Sequence, residues 1–228
     1  MIEYLENVKT TTVLFTFFTL CGSLFCRKER NVMRNKTRIT LCIMLFLALF
    51  SPGLRRASAA PFSNSREYHA MESCRSTKDQ IKRTRAIESY LKRVYPKISS
   101  ANASLYAGLI ERHSQHYKVD PFLVTSIMAK ESTFKANAVS NGNYGLMQIN
   151  WKANGSWIKK TFSVRDTKQL LTPENNIRIG ACIIAAKIRA AGGDVDKGLD
   201  RYRGRSISSY RNGVMKHYLA LYSLFARR

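Results

Sequence analysis

The sequence predicts a mainly α-helical protein with a single folded domain. Along several segments, apolar residues recur at spacings of three and four, which places them on one face of a helix. Convincing runs of alternating apolar and polar residues, the pattern of a half-buried strand, do not occur, and the sequence contains no internal repeats. Helix start signals stand before two of the helical segments. Together these observations favour a helical domain over a mixed or all-β fold.

The N-terminal part of the sequence predicts export. Residues 33–59 combine a basic start, an apolar run over 39–50 and the small residues Ala57-Ser58-Ala59, which is the pattern of a signal peptide with its cleavage site. The apolar run is shorter than the roughly 20 residues that a membrane-spanning helix needs. We therefore expect a periplasmic or extracellular protein whose exported part begins at residue 60.

Residues 1–32 have two interpretations. Either translation starts at Met33, which opens a complete signal by itself, or the apolar stretch 13–25 inserts as a short membrane anchor. The first interpretation is favoured, and residues 1–32 are treated as an uncertain N-terminal extension. Contact with a membrane is expected only through this N-terminal part, if it stays uncleaved.

The remaining 169 residues, 60–228, are strongly basic and long enough for one ordinary core. They carry 29 Lys and Arg against 12 Asp and Glu, a formal charge of +17, which implies an anionic partner. An exported protein meets cell-wall polymers and membrane lipids. No nucleic-acid-binding motif is visible among the basic residues, so nucleic acid is not expected as a partner.

The cysteines of this part leave two alternatives open. In an oxidising compartment, Cys74 and Cys182 either form one disulfide or stay as buried free thiols. Cys and His residues nowhere have the spacing of metal ligands, so neither a metal site nor another cofactor is expected.

The first helices of the domain are predicted from periodicity and caps. Residues 60–80 are polar and mixed and are expected to form a flexible lead-in, so the domain is placed at 81–228. A first helix ends before Pro96, and its apolar face consists of Ile81, Ile87, Leu91 and Val94. A second helix is predicted over Leu105 to Tyr117. Asp120 and Pro121 are a cap and a first-turn residue, so a third helix begins there and runs to about Glu131.

The second half of the domain combines a long loop with two helices. Residues 132–156 are rich in Asn, Gly and Ser and are predicted as loop, with one short turn near Leu146. Thr172 and Pro173 start the next helix, and Gly192-Gly193 ends it. The apolar stripe of that helix consists of Ile177, Ala181, Ile184 and Ile188. The last helix is marked by Tyr210, Val214, His217, Tyr218 and Leu221.

One carboxyl group lies in line with an apolar helix face. Val124, Ile127, Met128 and Glu131 follow the spacing i, i+3, i+4 and i+7 of a single face. Burial disfavours the charged form of a carboxyl group and raises its pKa. A carboxyl kept protonated near neutral pH can act as a general acid in glycoside cleavage. On this pattern alone, Glu131 is either such an acid or a solvent-exposed residue at a helix end.

Short motifs follow Glu131 in a fixed order. They are Glu131-Ser132-Thr133-Phe134, Ala138-Val139-Ser140, Tyr144-Gly145-Leu146-Met147-Gln148-Ile149-Asn150, Asn176-Ile177 with Gly180, and Tyr202-Arg203-Gly204. In order and spacing they resemble the motifs of the soluble-type lytic transglycosylases, which are related in fold to goose-type lysozymes. The resemblance covers about Leu105 to Tyr218 and implies a lysozyme-like helical domain with a glycan-binding cleft. The short loop before Gly145 and the Gln148-Ile149-Asn150 ending are most similar to those of the small transglycosylases that accompany secretion, pilus and conjugation machines.

The resemblance also implies the site residues. Glu131 would be the catalytic acid and base. The glycan-binding residues would be Ser140, Tyr144, Met147, Gln148 and Tyr202, with Tyr202 near the Glu131 carboxyl; for Met147 a core position is the alternative. Three features depart from the family pattern: the loop from Ser140 to Gly145 is short, Arg203 stands where Asn is usual, and one spacer residue before Gly204 is missing relative to the longer form.

The implied activity is cleavage of the MurNAc–GlcNAc β-1,4 bond of peptidoglycan, with formation of 1,6-anhydromuramoyl ends. Most glycosidases use two carboxylates across the bond, but no Asp or Glu occurs from Ser132 through Arg165. A single carboxylate suits assistance by the N-acetyl group of the sugar and closure of the 6-hydroxyl on C1. The residues that remain candidates for a second carboxylate are Asp166, Glu174 and Asp200. A goose-type hydrolase and a non-catalytic wall-binding assembly protein are the alternative functions.

Overall fold

Residues 61–227 are described by the structure, a computed structural model. The predicted signal peptide at 33–59 and the extension at 1–32 lie outside these residues. None of the helices in the described part of the chain is long and apolar enough to cross a membrane.

The described residues form nine α-helices and one small sheet. The helices are α1 (Arg66–Ser73), α2 (Gln80–Val94), α3 (Ser100–Tyr117), α4 (Pro121–Ser132), α5 (Trp151–Phe162), α6 (Thr167–Leu170), α7 (Pro173–Arg189), α8 (Val195–Arg203) and α9 (Ser208–Ala226). The strands β1 (Val139–Ser140), β2 (Asn143–Tyr144) and β3 (Ile149–Asn150) pair antiparallel in that order. Short 3-10 turns occupy Phe62–Asn64 and Thr77–Asp79. The predicted mainly α-helical class is confirmed.

Helix α4 lies in the core and begins with the predicted cap. The Asp120 carboxylate accepts a hydrogen bond from the Phe122 N–H at 2.7 Å, and Pro121 occupies the first turn. Every residue of α4 from Pro121 to Ala129 is buried. The helix packs against α2, α3, α7 and α9. The end of α4, which carries Glu131, is therefore held in place by much of the domain.

The predicted apolar stripes of α7 and α9 are buried except at Ile188 and His217, which are half-buried, whereas α2 has an exposed residue at one end. Ile177, Ala181 and Ile184 of α7 are fully buried, and so are Val214, Tyr218 and Leu221 of α9. Ile87 and Leu91 of α2 are also buried, but Ile81 is 66% exposed. Ile81 is the second residue of α2.

Residues 61–80 differ from the flexible lead-in that the sequence predicted. They contain α1 and both 3-10 turns, and Phe62 and Met71 are fully buried. The Phe62 N–H donates to Asp196 Oδ2 at 2.8 Å, and the Phe62 ring meets the Tyr218 ring edge-on with centroids 5.4 Å apart. The segment has few apolar residues, but Phe62 and Met71 among them are buried in the core. Their contacts hold the surrounding chain in place.

The predicted loop 132–156 also differs, because it contains the small sheet and the start of α5. Val139 pairs with Tyr144, and Tyr144 pairs with Ile149. Strands of two residues are too short to show alternation, which is why no sequence pattern indicated them. Helix α5 begins where the Asn150 side chain accepts a hydrogen bond from the Ala153 N–H at 2.8 Å.

Of the two alternatives for the cysteines, the structure has the free thiols. Cys74 and Cys182 are both unpaired and only partly buried.

Candidate active site

A cleft of about 700 Å³ opens beside the C-terminal end of α4. Residues of α4, the small sheet, α5, α7, α8 and α9 form its walls. The lining residues are Lys130, Glu131, Ser140, Asn141, Asn143, Gln148, Ile149, Asn150, Ala153, Asn154, Ile183, Lys187, Arg201, Tyr202, Arg203, Gly204 and Tyr210. Among the described residues that line the cleft, only Glu131 carries a carboxyl group. Any proton transfer by a carboxyl group in this cleft therefore falls to Glu131.

The Glu131 carboxyl is half-buried and has a defined partner. The Tyr210 hydroxyl donates a hydrogen bond to Glu131 Oε1 at 2.6 Å. Burial raises the pKa of Glu131 above its ordinary value, while the hydrogen bond from Tyr210 and the charges of Arg203 and Lys130 offset part of the rise. The raised pKa extends the protonated form of Glu131 toward neutral pH, as a general acid requires.

The other candidate carboxylates are engaged elsewhere. Asp166 caps α6 by accepting a hydrogen bond from the Gln169 N–H at 2.7 Å. Glu174 accepts a hydrogen bond from Arg112 and lies 2.8 Å from His113 Nε2, and Asp200 pairs with Arg211. None of the three lines the cleft. They do not supply a second carboxylate opposite Glu131 in this structure.

The loop that contains Tyr144, Leu146 and Met147 is held in place by hydrogen bonds from two buried side chains, Ser132 and Asn176. The Ser132 hydroxyl donates to the Leu146 carbonyl at 2.8 Å. Asn176 of α7 is fully buried, and its Oδ1 accepts from the Met147 N–H at 2.7 Å. The Asn176 Nδ2 donates to the carbonyls of Tyr144 and Leu170 at 2.9 and 3.0 Å. Side chains of α4 and α7 thus provide hydrogen-bond partners for backbone groups that the short loop itself leaves unpaired.

Gly145 allows this approach of Asn176. Its φ is +77°, and a Cβ at this position would collide with Asn176 Nδ2. Only glycine fits both the backbone conformation and the space.

Gln148 and Tyr202 hold the same loop from the side of the cleft. The Gln148 amide donates to the carbonyls of Ala138 and Gly145 at 3.0 and 2.9 Å. The Tyr202 hydroxyl donates to the Met147 carbonyl at 2.7 Å. The two side chains line the cleft, but their polar ends face the loop. They shape the wall of the cleft more than they present hydrogen-bonding groups to a ligand.

The structure brings together four of the six predicted site residues. Glu131, Ser140, Gln148 and Tyr202 line one cleft. Met147 is fully buried, and its side chain packs where a Cβ on Gly180 would lie, 2.5 Å from Met147 Cγ. Tyr144 lies on β2, half-buried, and is not among the lining residues.

Tyr210 is the residue that the motifs did not reveal. The predicted partner of Glu131 was Tyr202, whose hydroxyl binds Met147; the hydroxyl on Glu131 comes from Tyr210 of α9. The sequence placed Tyr210 on the apolar face of the last helix, and it is 6% exposed. A buried tyrosine needs a partner for its hydroxyl, which is the only signal that the sequence offered.

The described residues contain no group of three or more His, Cys, Asp and Glu side chains arranged to hold a metal ion.

The family of the domain follows from comparison with known proteins. Residues 108–220 match the family described as the transglycosylase SLT domain. That match runs from α3 into α9 and includes every residue that lines the cleft. Residues 108–220 therefore form a domain of the transglycosylase SLT family.

Curated relatives carry related names. The chain is 32% identical over 140 residues to a membrane-bound lytic murein transglycosylase C of Sodalis glossinidius, covering 57% of this chain and 37% of that protein. It is 37% identical over 87 residues to endo-type membrane-bound lytic murein transglycosylase A of Salmonella paratyphi B and Salmonella enteritidis, covering 36% of this chain and 43% of theirs. The chain thus spans less than half the length of these relatives.

Proposed function

We propose that this protein is a peptidoglycan lytic transglycosylase that cleaves the MurNAc–GlcNAc β-1,4 bond and leaves 1,6-anhydromuramoyl ends. One observation carries the proposal: in a cleft of about 700 Å³, Glu131 is the sole carboxyl among the described lining residues, and it is half-buried with a raised pKa. The names of the curated relatives support the substrate class.

In the first step, Glu131 acts as a general acid. Its proton passes to the glycosidic oxygen, the bond from that oxygen to muramoyl C1 breaks, and the GlcNAc 4-hydroxyl leaves. Because burial disfavours the charged form, the half-buried carboxyl keeps its proton until the reaction starts, so the general acid is present in its protonated form. The Tyr210 hydroxyl donates to Oε1 and holds the carboxyl in one orientation.

In the second step, the Glu131 carboxylate acts as a base. It takes the proton of the muramoyl 6-hydroxyl, whose oxygen forms a bond to C1 and closes the anhydro ring. The sugar thus supplies its own nucleophile. An inverting hydrolase places a second carboxylate about 6.5–9.5 Å from the first to activate water, and the cleft lining described here has none.

For location we propose the cell envelope, with the enzyme acting in the periplasm or outside the cell after removal of a signal peptide. The support is the substrate class, since peptidoglycan lies outside the cytoplasmic membrane, and the signal pattern at 33–59. Action beside a secretion, pilus or conjugation machine is a further proposal, which rests on the short loop before Gly145 and on the Gln148-Ile149-Asn150 ending of the motif.

The products test the proposed reaction. Purified sacculi treated with the protein should release muropeptides that end in 1,6-anhydromuramoyl groups, each lighter than the hydrolysed form by the mass of one water molecule. Mass spectrometry of the released fragments distinguishes the two kinds of end. Reducing ends as the main product would show a lysozyme-type hydrolase, and no soluble fragments at all would favour a non-catalytic wall-binding protein.

Tyr210→Phe should alter the pH profile of cleavage. The first step needs protonated Glu131, so kcat/KM should fall as the pH rises through the raised pKa of Glu131. The Tyr210 hydrogen bond lowers that pKa, so its loss should raise the pKa and move the alkaline limb to higher pH. The rate on the low-pH plateau should fall about tenfold through lost orientation. An alkaline limb that stays in place would show that Tyr210 does not act on the Glu131 carboxyl.

A further inference from the structure

The cleft has an excess of positive charge that the proposed reaction does not use. Four of its lining residues are cations, namely Lys130, Lys187, Arg201 and Arg203. All four are exposed. None of them forms an ion pair with another residue in the described part of the chain, although most acidic residues of the domain are paired with other bases.

These four cations line a cleft in which Glu131 must be uncharged when the proposed reaction starts. When Glu131 is protonated, four positive charges line the cleft, and no negative charge on the described lining residues balances them. A ligand that carries anions therefore gains attraction in this cleft, and a neutral ligand does not.

The positive charge of Arg203 acts on Glu131, the group that transfers protons in the proposed reaction. Arg203 follows Tyr202 at the position where the family motif usually has Asn, and its charge acts on the pKa of Glu131. Its guanidinium lies 5.9 Å from the centroid of the Tyr210 ring, the ring whose hydroxyl binds Glu131. Lys187 lines the cleft from α7, and Arg201 from α8.

The chemistry of the glycan restricts what these cations can bind. A strand of N-acetylated sugars has no charge of its own. Its carboxylates are carried by the lactyl ether of the muramoyl residue, or by a peptide attached there through an amide bond. We propose that the cleft selects strands bearing carboxylates, and that Lys187 and Arg203 are residues that determine this specificity; the inference rests on the proposed function.

The proposal is tested with three forms of one soluble glycan oligomer. The first carries stem peptides with free carboxylates, the second carries the same peptides with their carboxylates converted to amides, and the third is peptide-free and retains only the lactyl carboxylate. The protein should cleave the first form with a kcat/KM about fivefold above that of the second, since each exposed pair contributes a modest amount. Rapid cleavage of the third form would place the recognised carboxylate on the lactyl group, and slow cleavage would place it on the peptide.

A double variant assigns the preference to the cleft. Lys187→Gln/Arg203→Gln should bring the ratio of the first two kcat/KM values close to one. Because the ratio compares two substrates on the same protein, a change in the pKa of Glu131 or in folding affects both values and cancels. The matched control is Lys97→Gln/Arg165→Gln, which removes the same charge from exposed residues outside the cleft. The control should keep the ratio of the parent protein.

The outcomes separate this inference from the proposed function. Equal cleavage of the free and amidated oligomers by the parent protein would leave the transglycosylase assignment intact and overturn charge selection. A control variant that loses the ratio as fully as the cleft variant would also overturn it, because the preference would then come from the overall charge. Failure to cleave any of the three oligomers would instead count against the proposed function.

Discussion

Glu131→Gln should abolish cleavage of peptidoglycan while keeping the fold. An amide can neither donate a proton to the leaving oxygen nor accept one from the 6-hydroxyl, so both steps lose their proton carrier. General acid–base catalysis is typically worth about 10²–10⁴-fold, and because both transfers depend on Glu131 the loss should lie at or above about 10⁴-fold. The measurement is the release of soluble fragments from sacculi by equal amounts of the two proteins.

The stability of this variant should not fall at neutral pH. When folding raises the pKa of a carboxyl group such as Glu131, the protein becomes less stable as the pH rises from the pKa of that group in the unfolded chain to its pKa in the folded protein. Above the pKa in the folded protein the loss is complete. The uncharged amide of the Glu131→Gln variant is free of this cost, and its oxygen can still accept a hydrogen bond from the Tyr210 hydroxyl. We therefore expect a Tm equal to or above that of the parent protein, measured by thermal unfolding near pH 7.

Glu174→Gln is the matched control. It makes the same chemical change on α7, where the Glu174 carboxylate is about half exposed and pairs with Arg112 and His113 away from the cleft. The change should cost a few tenths of a kcal/mol in stability and little activity. A folded but inactive Glu174→Gln protein, or a Glu131→Gln protein that cleaves near the parent rate, would move the catalytic assignment away from Glu131.

Asn176→Ala should produce the largest loss of stability among single changes near the cleft. The Asn176 amide is fully buried and satisfies three backbone groups, on Tyr144, Met147 and Leu170. Each buried group left without a partner costs about 1–3 kcal/mol. We expect the free energy of unfolding to fall by about 3–5 kcal/mol, a large part of the stability of an ordinary domain. Urea-induced unfolding measures this difference.

Asn175→Ala controls for the loss of an amide on the same helix. Its Nδ2 donates to the Gln169 carbonyl at 2.9 Å at an exposed position, and its Oδ1 accepts from Arg178 Nη2 at 3.1 Å at a partly buried one, so water can replace at least the first bond. The change should cost less than about 1 kcal/mol. If both variants unfold at the same urea concentration, the buried network around Asn176 does not stabilise the domain as its geometry indicates.

The sequence predicted best the helices with clear start signals and regular apolar faces. Asp120-Pro121 and Thr172-Pro173 correctly marked the starts of α4 and α7. Both helices have proline in the first turn, and at α4 the Asp120 side chain also caps the helix, whereas the Thr172 side chain makes no capping hydrogen bond at α7. The segment 61–80 and helix α5 were missed. Their order depends on tertiary contacts, such as the buried Phe62 ring, that no local pattern reports.

The candidate site was predictable in its motifs but not in its contacts. The motifs placed six residues in one site, and the structure has four of them on one cleft, namely Glu131, Ser140, Gln148 and Tyr202. They did not indicate that α9 would bring the Tyr210 hydroxyl to Glu131, because that contact joins residues 79 positions apart. The motifs also did not indicate that the polar ends of Gln148 and Tyr202 bind the loop. Which backbone groups of the loop need hydrogen-bond partners is decided only when the loop is folded.

The long-range hydrogen bonds also set the order in which the site is completed. Glu131 and Tyr210 are 79 residues apart, and Met147 and Tyr202 are 55 apart. A chain that emerges in N-to-C order, from a ribosome or across a membrane, therefore presents Glu131 long before α8 and α9 exist to close the cleft. Until then the carboxyl is solvated and without its tyrosine, so it has neither the pKa nor the orientation of the folded site. We therefore expect the proposed lytic activity to be absent from every partly emerged chain and to arise only after α8 and α9 have folded onto the cleft.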